Sequence, residues 1–228
     1  MSKLSKNLAS THEPTREEAL IALDQYITTN LNRLTEIELG KVWKGIWYAM
    51  WLSDGGENQN NLTEQLAKIC NKNEYSVKNW IKINETFWMI VIREWQTLDK
   101  WRVDKYYLLL RKVLRFNFRY LNFKNWDRKV IVEFNKMIKK PLNLKKNLAI
   151  SYHLCDIYLS ELEEYSDSAP EFIIDIFKQV KNETNSKTLK GKIDEEVLND
   201  ERVKEWWGED EEEDDDEEEE DEEEWTGF

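Results

Sequence analysis

The chain has 228 residues, 40% of them hydrophobic, with 11 Trp, 9 Tyr and 8 Phe, enough for one sizeable core. Its 7 Gly and 3 Pro are too few for the turns of a sheet-rich protein. The net charge of −13 is local: Glu209 to Glu224 are sixteen consecutive acids, and without them 30 acids face 33 Lys+Arg, a mildly basic body of +3.

Two cysteines, Cys70 and Cys155, sit in helical apolar patterns with no pairing framework, which suits a reducing compartment. No stretch approaches the roughly 18 apolar residues of a membrane span, and Met-Ser-Lys-Leu-Ser-Lys has no signal-peptide core. A soluble intracellular protein is expected, so the Asn-x-Thr sequons at Asn61, Asn84 and Asn182 are read as chance.

In chain order, residues 1–13 read as a flexible arm. Pro14 opens a helix, with Thr15 and Glu18 spaced as a capping box and Ala19, Leu20, Leu23, Tyr26 and Ile27 as its apolar face. A second capping-box spacing, Thr35 to Glu38, starts a helix that Gly55-Gly56 ends. Along it Trp43, Trp47 and Trp51 fall at i, i+4 and i+8, so they share one face, widened by Leu39, Val42, Ile46 and Met50. A short helix follows around Leu62, Leu66, Ile69 and Cys70, then a long one near 76–96 through Trp80, Ile81, Asn84, Trp88, Val91 and Trp95.

Asp99 is placed to cap a helix near 100–120, with Tyr106, Tyr107, Leu110, Val113 and Leu114 inward. Asn125 is the expected N-cap of a helix carrying Val130, Ile131, Phe134, Met137 and Ile138, which Pro141 stops. A helix near 146–164 and a last one from Pro170 complete a body of about eight helices over 14–183. Residues 184–208 read as a linker with a short helix near 195–207, and 209–228 as a disordered acidic tail. The expected class is all-α: an irregular α-solenoid of stacked, armadillo- or HEAT-like hairpins, with a closed bundle as second choice.

Catalytic chemistry finds little purchase. His153 and Cys155 point about 200° apart on a helix and cannot share a metal. Gly40 and Gly45 have P-loop spacing, but Ile46-Trp47 stands where Lys-Ser/Thr is required. Most tryptophans lie on inward stripes and read as core, while Trp126, Trp206 and Trp207 are candidate partner contacts. No catalytic, metal or cofactor site is expected.

The basic stretch is more informative. Residues 100–146 hold fifteen Lys+Arg against Asp104, Asp127 and Glu133. Arg111, Arg115 and Arg119 repeat every four residues and form one row, flanked by Lys112. Lys124, Arg128, Lys129, Lys136, Lys139, Lys140, Lys145 and Lys146 continue the excess. A solvated face usually interleaves both signs. These residues are therefore candidates for binding a polyanion such as RNA phosphate, an acidic protein, or the chain's own tail.

Two stretches carry a family resemblance. Lys41-Val-Trp-Lys-Gly-Ile-Trp-Tyr-Ala-Met-Trp-Leu-Ser-Asp54 and Phe87-Trp-Met-Ile-Val-Ile-Arg-Glu-Trp-Gln-Thr-Leu-Asp-Lys-Trp-Arg-Val-Asp-Lys-Tyr-Tyr-Leu-Leu-Leu-Arg111 resemble the ribosomal RNA processing protein 1 family, nucleolar protein Nop52 in animals, and in particular its fungal members. His153-Leu-Cys-Asp-Ile-Tyr-Leu-Ser-Glu-Leu162 is a weaker third match. The resemblance implies a helical-repeat fold and a non-enzymatic factor in the nucleolus of the nucleus. It also implies work on the large-subunit pre-ribosome beside other assembly factors and pre-rRNA, with no membrane or small-molecule partner. It supplies no catalytic residues. The acidic run leaves a second reading open, a chaperone for histones or basic ribosomal proteins.

Overall fold

The computed structural model describes residues 3–8 and 10–208. The acidic tail, 209–228, lies outside them, as does the expectation attached to it. Among the described residues eleven α-helices follow one another: α1 (Lys3–Leu8), α2 (Glu13–Asn30), α3 (Glu36–Leu52), α4 (Gly56–Cys70), α5 (Val77–Glu94), α6 (Val103–Phe123), α7 (Arg128–Leu142), α8 (Ala149–Leu162), α9 (Asp175–Glu183), α10 (Lys187–Ile193) and α11 (Glu201–Trp207). Among the described residues there is no strand.

The packing order defines the architecture. Each helix of the central stack lies against the helix two places along: α2 on α4, α4 on α6, α6 on α8, and α3 on α5, α5 on α7, α7 on α9. Even- and odd-numbered helices therefore form two layers, the helical-repeat arrangement expected of stacked hairpins. The core runs between the layers as an aromatic seam. Trp80 stacks on Tyr120 at 4.2 Å and 16°, and Trp47 meets Tyr106 at 4.1 Å. Both phenol groups also donate, Tyr106 Oη across the layers to the Trp47 carbonyl and Tyr120 Oη to that of Tyr75 in the α4–α5 loop, each at 2.8 Å. Burying such rings stabilises the stack, and their polar tips find partners instead of being orphaned.

Local chemistry explains the boundaries, including those the sequence misplaces. The Thr35–Glu38 capping box forms: Glu38 N donates to Thr35 Oγ1 at 3.2 Å and Thr35 N to Glu38 Oε2 at 2.9 Å. The Thr15–Glu18 box does not. His12 is the N-cap and Pro14 already sits in the first turn, so Thr15 lies inside the helix. Asn125 closes α6 rather than opening α7. It takes φ 51°, Trp126 N donates back to the Leu121 carbonyl at 2.9 Å, and Asp127 caps α7 through Lys129 N and Val130 N. Trp126 shares the positive φ (52°), costly for a bulky residue, and is held there by burial and by Nε1 donating to Ser168 Oγ at 3.1 Å. Pro141 is tolerated in the last turn of α7, which ends one residue later.

Three other expectations need correction. Trp51 is only half-buried, whereas Trp43 and Trp47 are buried; the Arg102 guanidinium covers the Trp51 ring at 4.7 Å. The expected flexible arm contains α1, which packs on α2 and α3 with Leu8 buried. The expected linker 184–208 carries two helices and a π turn at Asp194–Leu198. Leu189, Ile193 and Val197, spaced i, i+4, i+8, are fully buried, and α10 lies against α8. Their burial places this segment in the core.

Candidate nucleic-acid interface

Helix α6 has 21 residues, and every fourth position of its Arg111–Arg115–Arg119 row shares one face. The structure divides that row. Glu161 of α8, whose side chain is only 1% exposed, lies opposite the first two arginines. Arg115 Nε donates to Glu161 Oε2 at 2.5 Å and its Nη2 to Oε1 at 3.2 Å. Arg111 Nε also donates to Glu161, and its Nη2 to Ser160 Oγ at 3.1 Å. The hydrogen bond to Glu161 holds the Arg115 guanidinium above its usual range. A buried carboxylate with these partners is a structural clamp between α6 and α8. Removing the partners would strand a charge in the core.

Lys112 is likewise committed. Its ammonium lies 2.8 Å from Glu64 of α4, and the Lys112 side chain is mostly covered. Burial alone would raise the Glu64 carboxyl, but hydrogen bonds and charge from Lys112 and Lys68 outweigh it and hold Glu64 below the usual carboxylate range. On α7, Lys139 pairs with Glu183 at 2.6 Å, Lys140 with Glu85 at 2.9 Å and Lys136 with Glu133 at 2.6 Å. These last pairs are largely solvated and contribute little, yet their charge is locally balanced.

What remains is concentrated. Arg119, Lys124, Arg128 and Lys129 have no carboxylate within 4 Å among the described residues; neither do Lys145 and Lys146 of the α7–α8 loop. Arg119, Arg128 and Lys129 are exposed and Lys124 half-buried. The first four gather where α6 turns into α7. There Lys124 Nζ donates to the Asn73 carbonyl at 3.3 Å and lies over Phe123 at 4.8 Å, while Arg128 lies over Phe172 at 5.2 Å. The corner therefore touches the α4–α5 loop on one side and the α8–α9 connection on the other. Lys145 and Lys146 lie at the far end of α7, whose 15 residues span about 22 Å. Cations held over aromatic rings and loop carbonyls, with no carboxylate within 4 Å among the described residues, are the kind of group that can meet phosphate.

The remaining polar chemistry is quiet. Burial lowers the His153 pKa below its usual value, while one ring nitrogen lies 3.2 Å from the Tyr107 carbonyl. Burial pushes the Cys155 thiol up to about 12, and Cys70 well above its ordinary value, so neither thiol ionises readily. Among the described residues, no three His, Cys, Asp or Glu side chains come together to hold a metal. Asn84, one of the three sequons, is fully buried in a network with Asn71 and Asn117. No described helix is long and apolar enough to cross a membrane. Trp101 is the residue that sequence periodicity gave no reason to single out. It stands 81% exposed between α5 and α6, with Lys100 Nζ 4.7 Å from its ring.

Fold and surface together define a helical-repeat protein with a cluster of cations at the α6–α7 turn that have no carboxylate within 4 Å among the described residues. The chain belongs to the Nop52 family: the family model described as "Nucleolar protein, Nop52" matches residues 1–227. It is 32% identical over 200 residues to a human protein named "Ribosomal RNA processing protein 1 homolog B", covering 82% of this chain and 26% of that one. It is 30% identical over 167 residues to the mouse "Ribosomal RNA processing protein 1 homolog A", 70% of this chain and 34% of that one. A Drosophila melanogaster "Ribosomal RNA processing protein 1 homolog" is 28% identical over 129 residues, 56% and 19%. The chain thus spans about a quarter of the human relative's length.

Proposed function

We propose that this protein is a non-enzymatic ribosome-biogenesis factor of the nucleolus that supports rRNA processing as a helical scaffold on precursors of the large subunit. Family membership over residues 1–227 carries the reading, and the relatives' names point to rRNA processing. The two-layer stack offers a long surface for other assembly factors. The corner of Arg119, Lys124, Arg128 and Lys129 is the part that meets pre-rRNA, with Lys145 and Lys146 as a second contact along α7. Binding there is directed at the phosphate backbone and is sensitive to salt, because cations without base-reading geometry carry no sequence code. Arg111, Arg115, Lys112, Lys136, Lys139 and Lys140 act through their carboxylate partners and contribute to the surface only secondarily.

The test is co-sedimentation with precursor particles. A chain with Arg119→Glu, Lys124→Glu, Arg128→Glu and Lys129→Glu should keep its helical circular-dichroism spectrum and move from the particle fractions to the top of the gradient. Full retention on large-subunit precursors removes the role given to the corner. Accumulation on small-subunit precursors instead removes the choice of subunit.

A further inference from the structure

The chain carries two opposite charge features, and the fold fixes where the described chain leads into the second. One is the unpaired corner at the α6–α7 turn. The other is the run of sixteen acids, Glu209 to Glu224, which begins directly after Gly208. Where that run starts follows from the packing of α11. Trp207 Nε1 donates to the Ala169 carbonyl at 2.8 Å, so the last described helix ends on the connection between α8 and α9. That connection is itself part of the corner. Ser168 accepts from Trp126 Nε1, Tyr165 packs edge-on against Trp126 at 6.0 Å, and Phe172 lies under Arg128. Tyr165 also lines a cleft of about 450 Å³ with Arg115, Phe116, Arg119 and Asn122, and with Glu64 and Glu164.

We propose that the acidic run 209–224 binds this corner within the same molecule and competes with RNA phosphate for it. The inference rests on the reading of the corner as a polyanion surface, and it names the polyanion that occupies it when RNA is absent. Sixteen residues reach up to about 55 Å when extended, far more than the corner requires. A tethered ligand faces a high effective concentration and needs little intrinsic affinity. The consequence is selectivity: weak, nonspecific RNA is kept off, and only a strand making further contacts displaces the tail.

Two measurements on the full-length chain test this. In the first, a nitroxide is attached at Asp216→Cys, the native Cys70 and Cys155 being buried. At about 50 mM salt it should broaden the amide signals of residues 119–129 and 165–172, and about 500 mM salt should release them. Absent broadening, or broadening spread evenly over the body, overturns the docking. In the second, all sixteen acids are replaced by Asn and Gln at unchanged length. Affinity for a single-stranded uridine oligomer should rise about tenfold, and the four charge reversals at the corner should abolish the gain. RNA binding that is unchanged by neutralising the tail overturns the competition but leaves the interface standing. Failure of every chain to bind RNA overturns the interface reading and the competition together, and the spin label then decides the docking alone.

Discussion

The two halves of one arginine row do different work. Arg111 and Arg115 meet a carboxylate that has almost no access to water, whereas Arg119, one turn further along the same face, meets none among the described residues. Residue type, helix and spacing are shared, and the difference comes from α8, some fifty positions later. Where α8 presents Glu161 the arginines tie α6 to α8 within one layer. Where α8 gives way to the Tyr165–Ala169 turn, a guanidinium is left for something outside the fold. A run of positive charge is therefore not a uniform surface, and the position of its buried counter-charges decides which part of it is available.

The sharpest way to break this comparison is to reverse the clamp. Arg111→Glu with Arg115→Glu sets two carboxylates against buried Glu161 and should destabilise the fold by about 3–5 kcal/mol in urea denaturation. The same pair of substitutions at Arg119 and Arg128 should leave the midpoint within about 0.5 kcal/mol of the parent. Equal losses at both places would erase the distinction. Glu161→Gln should cost less, about 1–3 kcal/mol, because the two arginines are partly exposed and recover hydration.

A smaller effect concerns pH. Burial holds the folded His153 pKa below the ordinary value near 6.5. The unfolded chain therefore takes up this proton first as pH falls, and stability is lost on going down from about pH 6.5 towards the folded pKa. Denaturation midpoints compared at pH 7.5 and 5.5 should differ less in His153→Gln than in the parent. Identical pH dependence in the two would remove His153 as a source. The smallest effect is at Trp101: Trp101→Ala should shift stability by no more than about 0.5 kcal/mol. Trp80→Ala, by contrast, opens the core at the Tyr120 stack and should cost about 3–5 kcal/mol.

Much of the stack was legible in the sequence because it rests on local periodicity. Helical spacing, i, i+4 for Trp43/Trp47 and Leu110/Leu114 and i, i+8 for Trp80/Trp88, defines inward faces without knowledge of what covers them. The same signal was present and undervalued at Leu189, Ile193 and Val197, where surrounding Lys, Asn and Glu gave the segment the look of a linker. The capping box at Thr35 formed, while the one at Thr15 failed, because Pro14 and His12 set the helix start three residues earlier. The basic surface was legible only as a total. Counting charge along 100–146 cannot see Glu64, Glu85, Glu161 or Glu183, which arrive from other helices and neutralise Lys112, Lys140, Arg111, Arg115 and Lys139. Counter-charges supplied by distant segments have no local signature.

The central claim, that the α6–α7 corner and not the whole basic row meets phosphate, is tested most directly by the salt dependence of RNA binding. In the chain with a neutralised tail, the slope of log affinity against log salt should fall by about 0.7 for each cation removed from Arg119, Lys124, Arg128 and Lys129, close to 3 in all. An unchanged slope in that quadruple variant, with the fold intact, would contradict the account.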